Sequence, residues 1–105
     1  MSKKAPDTSF LQLPSFDAIY PGTSQKITTS GSSQQSSAFS SNTTIVRLFS
    51  TQDCYVAFGT NPTATSSSMF LPAGIVEYFG VTESSKLAVL QVTSSGILYI
   101  TEGEA

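Results

Sequence analysis

At 105 residues the chain is one domain at most, able to bury roughly 60–70% of its unfolded surface without covalent staples. Hydrophobic residues make up 39% and charged residues only 11%; Ser and Thr fill the difference, which suits β structure packed against neighbours better than solvated helices. The net charge of −2, with Lys3, Lys4, Lys26, Arg47 and Lys86 scattered, excludes a phosphate-neutralising stripe and a cationic membrane-surface helix, so neither nucleic acid nor a membrane is an expected partner.

Residues 1–22 read as an extended N-terminal arm, and residues 23–105 as a single domain. Pro6, Pro14 and Pro21 each remove a ladder donor and favour extended backbone before them. No apolar h-region follows Met1-Ser-Lys-Lys, so no secretory signal is expected. Within residues 1–42 the apolar side chains are dilute, and Gln25–Thr29 and Gln35–Ser40 are the weaker strand candidates. The Ser/Thr-rich stretch Thr28–Thr44 reads as a flexible loop, an edge strand or a partner-ordered segment, and composition alone favours mobility in isolation.

From residue 43 onward β-formers are dense and turn signals regular. Strands are predicted at Thr43–Ser50, Cys54–Phe58, Ser68–Leu71, Ile75–Val81, Lys86–Thr93 and Gly96–Thr101. The last two are expected to pair as a hairpin across Ser94-Ser95-Gly96. The Pro-flanked loop from Gly59 to Gly74 is expected to project from its sheet. No segment keeps apolar residues at i, i+3, i+4 and i+7 over three turns. Short strands at roughly 8–12-residue spacing predict an all-β fold: a compact antiparallel β-sandwich, jelly-roll-like, carrying the arm.

Alternation assigns faces. Cys54, Val56 and Phe58 share the expected core face. Val46 and Leu48 lie on one side of their strand, with Ile45, Arg47 and Phe49 on the other. Ile75, Glu77, Phe79 and Val81 oppose Val76 and Tyr78. Most strands are therefore apolar on both faces, whereas a solvated sandwich shows polar residues outside. The outer face is expected to be covered, with Ile45, Arg47, Phe49 and Phe79 as interface residues. In the arm, Phe10, Leu11, Leu13, Phe16 and Tyr20 are the expected contacts.

Chemistry is sparse. The chain has no histidine and seven scattered acids, which leaves no general base, metal site or cofactor site to assign. Asp53 and Glu77 could form a carboxylate pair only through the fold. Cys54, alone in an apolar strand, reads as a small buried hydrophobe. Gly59-Thr-Asn-Pro lacks the second Gly, the Lys and the helix of a phosphate loop. The glycosylation acceptor pattern Asn42-Thr43-Thr44 is incidental without secretion. No enzyme is predicted.

The run Ile45-Val-Arg-Leu48, Cys54 through Thr65, Phe70-Leu-Pro-Ala-Gly74, Glu77-Tyr-Phe79, Lys86-Leu-Ala-Val-Leu90 and Ser95 through Glu102 resembles small capsid decoration (cement) proteins of tailed bacteriophages. The resemblance covers about residues 43–102. It implies a virion structural protein on the capsid surface, made in the host cytoplasm. Its implied partners are the major capsid protein and itself, as a dimer or trimer. A head–tail or tail accessory ring protein is the alternative. A carbohydrate-binding module using Tyr55, Tyr78 or Tyr99 as a stacking platform is a further one.

Overall fold

The structure, a computed structural model, describes residues 20–104, and side chains from Gly22. The strands are β1 (Tyr20–Thr28), β2 (Gln34–Gln35), β3 (Ile45–Ser50), β4 (Cys54–Gly59), β5 (Met69–Leu71), β6 (Glu77–Gly80), β7 (Lys86–Gln91) and β8 (Ile97–Glu104). No helix occurs among the described residues. The strands form two antiparallel four-stranded sheets, in the orders β1-β8-β3-β6 and β2-β7-β4-β5.

One hydrophobic core lies between the sheets. Val46, Leu48, Leu98 and Ile100 come from the first sheet, and Cys54, Val56, Leu71, Leu87 and Val89 from the second. Each fully buried Leu, Ile or Val side chain contributes about 1.5–3 kcal/mol. Cross-strand register explains why these residues meet. Val46 stands between Glu102 and Phe79, Leu48 between Ile100 and Glu77, and Val56 between Val89 and Met69. Phe39 comes from the β2–β3 connection and is buried in the same core. Its N–H donates to the Ser85 carbonyl, and its carbonyl accepts from the Ser84 N–H.

Four expectations are corrected. Residues 20–22, placed in the arm, are strand: Tyr20 pairs with Glu104 and Pro21 with Gly103. β2 is two residues long where Gln35–Ser40 was expected. β7 and β8 do not form a hairpin but enter different sheets, where β7 pairs with β2 and β4, and β8 with β1 and β3. The reason is the receiving geometry around Thr29 and Thr51. Gly96 N–H donates to Thr29 Oγ1, Ser95 Oγ donates to the Thr29 carbonyl, and Ile97 N–H donates to Thr51 Oγ1. These bonds lift the Ser94–Gly96 turn away from β7. A Cβ on Gly96 would stand 2.8 Å from Gln52 Cβ, so the crossing requires glycine.

The fourth correction concerns the β4–β5 loop. It does not project; it folds back over its own sheet as far as β2. Gln35 Nε2 donates to Asn61 Oδ1 and to the Pro62 carbonyl, and Ala64 N–H donates to Ser33 Oγ. Pro62 and Ala64 are buried beneath it, as is the outward-facing Ala88 of β7.

Candidate interaction surface

The β4–β5 loop roofs the β2–β7 half of the second sheet, while the outer face of the first sheet has no such cover among the described residues. Register places three predicted interface residues there together. Arg47 lies between Thr101 and Tyr78, Phe49 opposite Tyr99, and Ile45 between Gly103 and Gly80. Tyr99 in turn faces Lys26 on β1. The Phe49 and Tyr99 rings lie 6.5 Å apart, tilted, within the range where aromatic pairs attract beyond their area. Tyr78 and Tyr99 are each 39% exposed. The face is thus a central row of Arg47, Phe49 and two tyrosines, flanked by Lys26 and Ile45. Aromatic residues and Arg are the types enriched at protein interfaces.

Phe79 is misplaced in the sequence reading. It packs against the core, with its ring 5.5 Å from Phe58 of the other sheet. Parity is the cause: β6 pairs with β3 so that Phe79 sits beside the buried Val46, turning Tyr78 outward instead. Tyr78, which alternates with Phe79, and Tyr99 join this face, although the sequence offers them only as sugar platforms. Phe10, Leu11, Leu13 and Phe16 lie outside the described residues. Tyr20 is seen only through its backbone pairing with Glu104.

A second apolar strip follows the edge at β5. Met69, Phe70, Ile75 and Val76 are among the exposed large hydrophobics. Phe70 makes an edge-to-face contact with Tyr55 at 6.1 Å. The turn behind it is fixed by Gly74, whose φ of 76° suits glycine. Ala73 N–H donates to Asp53 Oδ1, and Gly74 N–H to the Ser50 carbonyl.

The buried polar groups serve architecture. Glu102 is 3% exposed. Its Oε1 accepts from Thr43 Oγ1 at 2.7 Å, from Ser40 N–H at 3.0 Å and from Ser40 Oγ at 3.2 Å; Oε2 accepts from Gln25 Nε2 at 3.2 Å. Burial pushes its carboxyl pKa up, but the hydrogen bonds from Ser40, Thr43 and Gln25 outweigh burial and hold it below 4.5. Cys54 is buried, and burial raises its thiol above 9.0; a hydrogen bond with Ser50 opposes this and the Asp53 charge adds to it. The thiol is thus protonated and enclosed, the opposite of an activated nucleophile. Among the described residues no group of three His, Cys, Asp or Glu side chains could hold a metal, and no helix is long and apolar enough to cross a membrane.

No family model matches the chain, and no curated protein or solved structure matches it either.

Proposed function

We propose that this chain is a non-enzymatic structural protein of a tailed-phage virion. In this reading it is a capsid decoration protein that binds across neighbouring major capsid subunits and associates with itself as a dimer or trimer. The observation that carries the reading is the asymmetry of the two sheets. One covers the β2–β7 half of its outer face with its own loop, while the other has no loop over Ile45, Arg47, Phe49, Tyr78 and Tyr99 among the described residues. The arm residues Phe10, Leu11 and Leu13 supply a second contact. The role is mechanical: many copies each bury an aromatic face, and repetition multiplies modest affinities into avidity.

A jelly-roll sandwich is the fold proposed for this role. The neighbours β1–β8, β2–β7, β3–β6 and β4–β5 are those of one long hairpin rolled into two sheets of four, which supports that reading.

The test is a shell-binding assay with Phe49→Lys and Arg47→Glu, alongside the copy ratio to the major capsid protein in purified particles. The expected result is hundreds of copies and at least a tenfold loss of binding in either variant, equivalent to about 1.4 kcal/mol. About six or twelve copies would support the ring alternative; undiminished binding would sink the interface assignment.

The exposure of Tyr78 and Tyr99 favours one second reading, a sugar-stacking platform. Selective hits on a glycan array that vanish in Tyr99→Ala would establish it over the first.

A further inference from the structure

A groove of about 450 Å³ opens at one end of the two sheets, lined by Thr44, Phe58, Gly59, Gly80, Val81, Thr82 and Ser85. Its floor is apolar. Phe58 and Val81 pack against the core, and Phe58 meets Phe79 across the sheets. None of the lining residues carries a charge. The polar atoms of Ser85 are engaged, since its N–H and its hydroxyl both donate to the Thr82 carbonyl. Such a lining offers little to an ion or a sugar. It suits an apolar side chain brought in on a peptide segment.

The topology puts the incoming chain at this same end. Tyr20 pairs with Glu104. Beside that pair, Thr44 N–H donates to the Gly103 carbonyl, and Val81 N–H to the Thr44 carbonyl. From β1 across β8 and β3 to β6 is three strand spacings, about 14 Å. The four residues from Phe16 to Tyr20 reach about 13–14 Å when extended, before the Phe16 side chain adds its own length. Phe16 is thus the aromatic residue nearest in sequence before β1 with the reach to cross the sheet end, and the groove is an apolar site at that end.

We propose that the groove is the seat of the chain's own N-terminal segment, with Phe16 as the anchor over Phe58 and Val81. Seating Phe16 fixes the base of the segment at the sheet end and leaves Phe10, Leu11 and Leu13 further out on the chain. The proposal rests on the fold alone and stands whether or not the protein belongs to a virion.

Amide chemical shifts of the full chain test it, because an aromatic ring leaves a ring-current signature on whatever it covers. Phe16→Ala is expected to shift the amides of Gly59, Val81, Thr82 and Ser85. Those of Thr93–Gly96, at the other end of the sheets, are expected to stay in place. Thr82→Glu, a charge on the exposed rim, is expected to move the amide of residue 16 with the core signals unchanged. Changes confined to residues 10–20 in the first variant, or none at residue 16 in the second, would overturn the proposal. Groove shifts that disappear on dilution would assign the seat to another copy's segment and overturn it equally.

Discussion

Glu102 is the residue whose chemistry most shapes the fold. Its four hydrogen bonds join β8 to β1 through Gln25 and to the β2–β3 connection through Ser40 and Thr43. Gln25 is held in one orientation, because its Oε1 accepts from Ser37 N–H while its Nε2 donates to Glu102. In Glu102→Gln the new amide would therefore face a donor with a donor. The expected cost is about 1–3 kcal/mol, read as a lower urea midpoint at pH 7. The carboxyl pKa is lowered in the folded state, so its stabilisation is present above the unfolded pKa and is lost as pH falls through the folded one. Acidification from about pH 4.5 downward should destabilise the parent more steeply than the Gln variant, bringing their midpoints together. Parallel pH profiles would show that the carboxylate form contributes nothing.

At the scale of elements, what was legible in the sequence was whatever alternation alone decides. Val46 and Leu48 read as core against Ile45, Arg47 and Phe49 because one strand's two faces differ in kind. Phe79 was not legible, since Phe79 and Tyr78 are both aromatic and only register with Val46 chooses between them. The β7–β8 turn was misread because its fate is set by Thr29 and Thr51, distant in sequence. Thr29 is 1% exposed and both donates to and accepts from Gly96. Thr29→Val keeps the shape and orphans the Gly96 N–H, at an expected cost of about 1–3 kcal/mol. Equal thermal midpoints for parent and variant would show that the crossing does not depend on it. The loop that roofs the second sheet depends on Ser33 and Gln35. The double change to Ala should speed amide exchange at residues 61–68 while the β4 and β7 cores stay protected. Unchanged exchange there would mean that burial of Pro62 and Ala64 holds the loop unaided.

Over the whole molecule, the chain changes sheets at every connection but one among the described strands: only β4 and β5, neighbours in sequence, are neighbours in space. Loop-closure entropy must be met before such distant pairings reward it, and folds of this kind assemble in milliseconds to seconds. Stopped-flow refolding is expected in that range. A submillisecond phase carrying the full amplitude would contradict it. The open face of the first sheet is a product of the same topology. Phe49 and Tyr99 lie fifty residues apart and become neighbours only when β8 settles between β1 and β3.

The central place of β8 makes the open face of the first sheet form only after the other described strands have been synthesised. Until Ile97–Glu104 has left the ribosome, β1 has no partner strand and β3 has only β6. A chain interrupted earlier displays no Arg47, Phe49 and Tyr99 row. A variant lacking residues 97–104 should therefore show no cooperative unfolding, and its retention would refute this ordering. Among the described strands, the latest to be synthesised is thus the one on which that face depends.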